Sequence, residues 1–270
     1  MRSQARRRKK RPQVPGRGPA GDLASRVQAL HPSAAEVAAA LRDVREGLLA
    51  RSPHVTEGNF TRIGASDLRL LFELYDRRVF GGALSRALGD GGRLGFRVSR
   101  RMTRAGGKTY HRSAPGPGRP PYEIAISAHL LFTNFDRPGR AVEVNGLPCR
   151  DRLDALQRIF EHELVHLVEL LTTGRSSCRA EPFRALAGRI FGHRDVTHGL
   201  DTPRERALAE HGLRVGDRVA FDFQGARLVG RINRITKRAT VLVEDPDGDP
   251  YTDGRSYRKY YVPLGLLQRA

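Results

Sequence analysis

Apolar residues recur every three or four positions in two stretches of the first third of the chain. The stretch SAAEVAAALRDVREGLLA starts with Ser33, and Glu36 stands three residues later, which is the pattern of a capping box at a helix start. The second stretch runs from Ser66 to the Phe-Gly-Gly sequence at 80–82, where a glycine can end a helix. Both stretches predict amphipathic helices that pack one apolar face against a core.

Between residues 93 and 132 the apolar positions alternate with polar ones instead. RLGFRVSRRMT has this period of two, and YEIAIS places Ile124 and Ile126 on one face. A loop rich in proline and glycine separates the two stretches. We predict two or three antiparallel strands here, with residues 122–127 as an edge strand beside which an extended peptide can pair.

The stretch DRLDALQRIFEHELVHLVELLTTG, residues 151–174, has a wide apolar surface. Asp151 suits its start and Gly174 suits its end. A helix that is apolar over so much of its surface belongs in the centre of a fold. A further helix is predicted over 181–191, because Pro182 suits a first helical turn.

The last sixty residues return to a strand pattern. VGDRVAFDF, ARLVGRINRI and ATVLVE alternate apolar and polar positions, with Gly225 and the sequence DPDGDP as turns. Short strands at this spacing predict a small five-stranded barrel over residues 211–270.

Together these elements predict an α+β chain with several segments. Residues 1–30 form a basic disordered tail and 31–58 an N-terminal helix with a linker. Residues 59–204 form a domain of helices packed on a small antiparallel sheet, and 211–270 form the small all-β barrel. A length of 270 residues suits one sizeable domain and a small one.

The charge of the chain indicates that its partner is a polyanion. The formal net charge is +19 and the sequence pI is near 11.1, and such a charge favours a polyanion. The first twenty residues contain no acid and carry a dense basic cluster of Arg6, Arg7, Arg8, Lys9, Lys10 and Arg11. We predict that this cluster contacts nucleic acid, with DNA the first candidate. The alternative is a solvated tail that has no specific partner.

Cysteine content and hydropathy indicate the compartment. Cys149 and Cys178 are too few for a disulfide framework, which favours a reducing compartment. We find no signal peptide and no run of the roughly 18 apolar residues that a membrane span needs. We therefore expect a soluble cytoplasmic protein without a membrane partner, associated with the nucleoid if it binds DNA.

The candidate chemistry lies in FEHELVHLVELL, residues 160–171. Residues four apart share one helix face, so His162 and His166 can present both imidazoles to a single cation, with Glu163 beside them. This is the spacing of zinc hydrolases: the histidines hold the metal, the metal acidifies a water, and the glutamate takes its proton so that it can attack a carbonyl. The alternative is a buried helix whose polar residues only form hydrogen bonds with neighbouring strands.

A catalytic zinc site needs a third protein ligand and one open position. The sequence offers four candidates downstream: Cys178, Glu181, His193 and His198. Cys178 is favoured, because it lies just after the Gly174 turn and the chain can fold back to deliver its thiolate. His193 is at the far end of the next helix, about 15–18 Å from the place of Cys178 at 1.5 Å per residue, so the two cannot easily share a site.

Several motifs in order resemble the SprT-like family, which includes the Spartan proteases. They are LFELYDRRVFGG at 71–82, SRRMTRAGGKT at 99–109, YEIAISAHLLF at 122–132 and FEHELVHLVELL at 160–171. The resemblance covers about residues 60–200. It implies a zincin-like metallopeptidase fold whose members cleave proteins crosslinked to DNA.

Carried over by position, the resemblance makes His162 and His166 zinc ligands and Glu163 the general base. The family's third ligand is typically a histidine in a His-Gly pair before the following helix. SSCRAEPF occupies that place here and offers Cys178 instead. A thiolate ligand would make the metal a weaker Lewis acid than a third imidazole would.

The segment 211–270 resembles SH3-like barrels of the KOW type. Its stretch YTDGRSYRKYY interleaves tyrosines with cations, and such a surface can stack bases and hold phosphates. We therefore add Arg258 and Lys259 to the predicted nucleic-acid contacts. The alternative is that these are ordinary barrel tyrosines and solvated charges.

The leading prediction is thus a zinc metalloendopeptidase that acts on proteins bound or crosslinked to DNA. A second prediction is a nucleic-acid-binding adaptor with a structural zinc and no peptidase activity. The missing His-Gly ligand favours the adaptor, whereas Glu163 favours the enzyme, since a structural site needs no base. A third is a general intracellular peptidase without a DNA role.

Overall fold

The structure is a computed structural model, and it describes residues 18–89, 93–136 and 141–270. The chain is α+β, as predicted. The helices are α1 Pro19–Ala29, α2 Ala34–Arg51, α3 Ala65–Tyr75, α4 Ala83–Leu88, α5 Ala128–Thr133, α6 Arg152–Thr173, α7 Glu181–Phe191 and α8 Pro203–His211. The strands are β1 Leu94–Ser99, β2 Gly107–His111, β3 Tyr122–Ser127, β4 Val142–Val144, β5 Leu147–Cys149, β6 Arg218–Phe223, β7 Ala226–Ile235, β8 Ala239–Pro250, β9 Ser256–Val262 and β10 Gln268–Arg269.

The chain divides into two compact units that are interleaved in sequence. Unit 1 comprises residues up to 99 together with 107–126 and 141–198. Unit 2 comprises 100–106, 127–140 and 199–270. The domain boundaries drawn from the sequence stay a prediction. Within the described residues no helix is long and apolar enough to cross a membrane.

The helix starts and stops read from the sequence are confirmed in unit 1. Helix α2 begins with the predicted capping box, in which the Ser33 hydroxyl accepts from the Glu36 main chain and the Glu36 carboxylate accepts from the Ser33 main chain. Helix α3 continues as one π-helical turn, Asp76–Phe80, and ends at Gly81, whose φ of 62° suits a glycine. These signals are local, which is why the sequence reveals them.

Residues 19–29 differ from the disordered tail predicted over 1–30, because they form helix α1. Leu23 and Val27 lie four residues apart on one face of this helix, and both are buried. That apolar face packs against α4 and α6 and so stabilises a short helix that has few large apolar residues. Residues 1–17, which include the predicted basic cluster, lie outside the described residues.

The sheet of unit 1 has the strand order β1-β3-β2. Strands β2 and β3 are antiparallel, with Gly107 opposite Ile126 and Thr109 opposite Ile124. The prediction that residues 122–127 form an edge strand is wrong, because β3 has a neighbour on each side. The strand at the edge beside α6 is β2, which packs on that helix.

Helix α6 is the central helix of unit 1, as predicted. Asp151 caps its start by accepting from the Asp154 main chain, and Gly174 ends it with a φ of 73°. Apolar residues along its length are completely buried: Leu153, Leu156, Ile159, Phe160, Leu164 and Leu167. Glu161, His162 and Glu163 are buried in the same helix. Burying three ionisable side chains in a row requires partners for each of them.

Unit 2 contains the five predicted C-terminal strands, arranged as an antiparallel sheet in the order β10-β6-β7-β8-β9. One side of the sheet carries its core: Val219, Phe221, Ile232, Val241 and Val262. Strand β10 returns beside β6, but no ladder among the described strands joins β9 to β10. The sheet is therefore open, and the predicted closed barrel is not seen.

Candidate metal centre

Helix α6 and the turn that follows it bring together the three metal ligands favoured by the sequence. His162 and His166 lie on one face of α6, with their ring centroids 4.9 Å apart. Cys178 lies in the turn between α6 and α7. The ligand atoms of His162, His166 and Cys178 are all within 4.8 Å of one another. Two imidazoles and a thiol so placed are a donor set that Zn²⁺ favours.

The local chain geometry explains why Cys178 reaches the helix. Gly174 takes the left-handed conformation at the end of α6, which turns the chain back on itself. Helix α7 then starts at Glu181 and inserts Phe183 beside both imidazoles, at centroid distances of 4.8 Å to His162 and 4.5 Å to His166. Phe183 is completely buried, so it limits the space into which either imidazole can turn.

His166 has a hydrogen-bond relay behind it. Its Nδ1 lies 2.6 Å from the Ser176 hydroxyl, and that hydroxyl donates to the Glu169 carboxylate at 2.5 Å. When the hydroxyl donates to Glu169, it accepts from Nδ1–H of His166. Nε2 of His166 is then the nitrogen left with a lone pair for a cation. Such outer partners fix the tautomer of a metal-binding histidine.

Burial keeps both histidines neutral. It lowers the pKa of His162 to about 2, with the neighbouring His198 and His166 adding to the effect, and it lowers the pKa of His166 to about 4. Nδ1 of His162 is buried and has no hydrogen-bond partner among the described residues. A neutral imidazole is the form that binds a metal ion, and coordination can offset the cost of burying such a ring. The donor set therefore fits a zinc ion.

Glu163 points away from solvent toward β2. It is 2% exposed, and its Oε2 accepts a hydrogen bond from the Thr109 hydroxyl at 2.7 Å. Burial raises the pKa of Glu163 to about 7, although Thr109 acts in the opposite direction. A carboxyl with a pKa in this range can both take and return a proton near neutral pH.

Strand β2 approaches Glu163 so closely that only a glycine fits at residue 107. A Cβ atom there would lie 2.6 Å from Oε1 of Glu163 and 2.8 Å from a methyl group of Ile159. Glycine in a strand marks such close approaches of the backbone. Gly107 and Thr109 were not predicted from the sequence, and neither were Ser176 and Glu169. For Gly107 the glycine pair in AGGKT was the available signal.

The other candidate ligands are placed differently. His193 lies in a separate buried cluster, where Nε2 is 2.8 Å from the Glu161 carboxylate. That carboxylate also accepts from the Tyr75 hydroxyl at 2.6 Å, and Arg158 is 3.3 Å away. His193 therefore does not serve the metal group. Glu181 is an exposed residue at the start of α7.

His198 flanks the metal group without being part of it. Its ring centroid is 5.0 Å from that of His162, and its Nε2 is buried without a hydrogen-bond partner among the described residues. Val144 forms a β-bridge with His198 and so holds its main chain beside the β4–β5 hairpin. His198 is thus a further histidine close to the three donors, and no described residue uses its Nε2.

The predicted nucleic-acid contacts at the C-terminus already have carboxylate partners. Nε of Arg258 is 3.0 Å from Asp245, and Nζ of Lys259 is 2.8 Å from Asp249. The tyrosines of the same stretch divide into two groups. Tyr251 packs edge-on against Tyr257 and Tyr260 packs against Phe221, whereas Tyr261 is 66% exposed.

Comparison with profiles of protein families, with curated proteins and with solved structures finds no match to this chain. The function is therefore argued from the site itself. The features that bear on it are the three clustered donors, the buried carboxyl next to the first of them, and the charges of unit 2.

Proposed function

We propose that the protein is a zinc-dependent endopeptidase of the SprT-like type, with a zincin-like fold in unit 1, and that it acts on proteins bound or crosslinked to DNA. One observation carries the proposal. The ligand atoms of His162, His166 and Cys178 lie within 4.8 Å of one another, and Glu163, which follows the first of them in the chain, is buried against β2 with a pKa that burial raises to about 7. A site that only holds a metal has no need of such a residue.

A bound Zn²⁺ would supply the Lewis acidity that polarises a peptide carbonyl and acidifies a water molecule. His162, His166 and Cys178 would hold the ion. Glu163 would accept a proton from the attacking water and pass it to the departing amine. Thr109 keeps the Glu163 carboxylate oriented, and Phe183 keeps the imidazoles in place.

The substrate would bind as an extended strand beside β2. This strand lies at the edge of the unit 1 sheet and contributes Gly107 and Thr109 to the surroundings of Glu163. Main-chain hydrogen bonds along a sheet edge bind peptides with little regard to sequence. That suits an enzyme whose substrates differ from one another and share only their attachment to DNA.

The basic character of the chain supports DNA as the anchor. A net charge of +19 favours binding to phosphates, and tethering raises the local concentration of DNA-bound protein near the site. Unit 2 would have an SH3-like architecture although its sheet is open, because its last strand, β10, returns beside its first, β6. Two cysteines in 270 residues agree with a reducing compartment such as the cytoplasm.

A second candidate is a nucleic-acid-binding adaptor whose zinc is structural. The observation that favours it is His198, which lies beside His162 and would give the ion a fourth protein ligand after a small shift. A zinc ion with four protein ligands has no open position for chemistry.

The test combines metal analysis with a cleavage assay. We expect about one zinc per chain, the number of a single mononuclear site, in the wild type and in Glu163→Gln, and a loss of zinc in His162→Ala and Cys178→Ala. Cleavage of a DNA-bound protein should vanish in all three variants. His198→Ala keeps both zinc and cleavage if the enzyme proposal is right. A wild type that holds zinc but cleaves nothing would favour the adaptor, and a wild type without zinc would contradict both.

A further inference from the structure

Two arginines lie opposite each other on the solvent-facing side of the unit 2 sheet. Arg218 on β6 lies directly opposite Arg231 on β7, and both side chains are exposed. Like charges directly opposite each other destabilise an antiparallel pair. Neither guanidinium meets a carboxylate among the described residues of the chain. An arrangement that costs stability in the free protein indicates an anionic partner.

The strand register extends this row across the sheet. Leu242 lies opposite Arg231, and Lys259 lies opposite Leu242. The next row contains Arg234, Thr240 and Tyr261, each opposite the one before it. Residues directly opposite each other in an antiparallel sheet point to the same face, and the alternating residues Ile232, Val241 and Val262 are buried on the other side. Both rows therefore face outward.

Four other cations in or beside the unit 2 sheet are neutralised within the chain. Arg255 pairs with Glu244, Arg258 with Asp245, Lys259 with Asp249 and Arg269 with Asp217. Arg218, Arg231 and Arg234 have no such partner in the described part of the chain. The same outward side also exposes Tyr261, at 66% of its surface. An exposed aromatic ring on the same side of a sheet as unpaired guanidinium groups gives a surface suited to stacked bases and phosphates.

We propose that Arg218, Arg231, Arg234 and Tyr261, here called the arginine face, bind single-stranded DNA. The guanidinium groups contact backbone phosphates, for which their planar donor arrangement is well suited. A base stacks on the ring of Tyr261. The choice of DNA as the polyanion rests on the function proposed above, whereas the position of the surface rests on the strand register and on the absence of carboxylate partners.

The experiment measures binding of the full-length protein to a fluorescent oligothymidine of about 20 nucleotides, longer than one small β domain covers, over a series of salt concentrations. We expect Arg218→Ala/Arg231→Ala/Arg234→Ala to raise Kd about 30-fold near physiological salt. The slope of log K against log salt should become shallower by about 2, because three phosphate contacts are lost. Tyr261→Ala should weaken binding about tenfold without changing the slope, and Tyr261→Phe should bind as the wild type does.

The matched control is Arg255→Ala/Arg258→Ala/Arg269→Ala. It removes the same charge from the same sheet, but from cations that already have carboxylate partners, so we expect a change in Kd of about twofold or less. Thermal unfolding of every variant checks that the sheet is intact. Equal weakening in the two triple variants would overturn the proposal, because net charge alone would then explain binding.

Three further outcomes are decisive. If the wild type binds and the triple arginine variant binds as tightly, the arginine face is overturned while the proposed function stands. If the wild type does not bind at all, the DNA part of the proposed function fails as well. If an acidic polyglutamate peptide displaces the oligonucleotide as well as unlabelled oligothymidine does, the partner is an acidic protein and not DNA. Cleavage of an unfolded protein without DNA, measured in parallel, reports on the peptidase separately.

Discussion

The Ser176 hydroxyl lies 2.6 Å from Nδ1 of His166 and donates its proton to Glu169. The relay means that a residue outside the donor set controls which nitrogen of His166 is available to a metal ion. It also ties the end of α6 to the turn that carries Cys178. Loss of the relay should therefore weaken metal binding without removing a ligand.

We predict that Ser176→Ala and Glu169→Gln each lower zinc affinity by about 10- to 100-fold, as the loss of an outer partner typically does. Competition with a chromophoric chelator measures this directly. Ser177→Ala is the matched control, because Ser177 is the exposed neighbour in the same turn. Unchanged zinc affinity in both relay variants would show that the turn alone positions His166.

Gly107→Ala should damage the site through overpacking. The added methyl group would meet the Glu163 carboxylate and Ile159 below 3 Å, so either β2 or the carboxylate has to move. We expect a loss of unfolding free energy of about 1–3 kcal/mol and a loss of cleavage. Gly116→Ala is the control, because a Cβ at Gly116 meets nothing within 4 Å. Urea unfolding of the two variants compares the effects, and equal stabilities would contradict the close approach.

The two cysteines should react very differently with iodoacetamide at pH 7.5. Burial raises the pKa of the Cys149 thiol to about 12, so almost no thiolate forms there. Cys178 is only partly buried, and we expect it to be alkylated in the metal-free protein. Zinc should protect Cys178, because a coordinated sulfur is not free to react. Mass spectrometry of the digested protein identifies the modified residue, and alkylation of Cys178 at the same rate with zinc would remove it from the ligand set.

Asp154 should contribute to stability in a pH-dependent way. Burial raises its pKa, but hydrogen bonds and charge from Arg150, together with Arg45 at 2.7 Å, outweigh burial and hold the pKa below its usual value of 3.8. The unfolded chain therefore binds the proton more readily, so the contribution is complete above pH 3.8 and is lost as the pH falls through the lower folded value.

We expect Asp154→Asn to cost about 1–3 kcal/mol at pH 7 and clearly less at pH 3, measured by urea unfolding. Asp43→Asn is the control, because the Asp43 carboxylate is 47% exposed in its pair with Arg78 and should matter by about 0.5 kcal/mol or less. A cost for Asp154→Asn that is the same at both pH values would show that the pKa of Asp154 is unchanged by folding.

What the sequence revealed is mainly what depends on neighbours in the chain. The capping box at Ser33 and the pairing of His162 with His166 follow from spacings of three and four residues, and both are present. Cys178 was found because the turn at Gly174 is also local. The role of His193 was not visible, because its partner Glu161 is 32 residues away.

The periodicity of apolar residues does not predict the order of the strands in a sheet. The alternation in YEIAIS shows a strand, but whether β3 lies at the edge depends on where β1 pairs, and that pairing is non-local. The same holds for the cations of unit 2. The sequence does not distinguish Arg258 from Arg231. The strand register and the irregularity between Glu244 and Asp249 show that Arg258 has a carboxylate beside it.

The metal donors lie close together along the chain, since the segment from His162 to Cys178 contains all three. Closing a short loop costs little conformational entropy, and contacts of low sequence separation form early in folding. The partner of Glu163 is different, because Thr109 is 54 residues away. A chain that is still folding would therefore capture the proposed ion before β2 docks, and Thr109 would orient the Glu163 carboxylate only once the longer-range contact has formed.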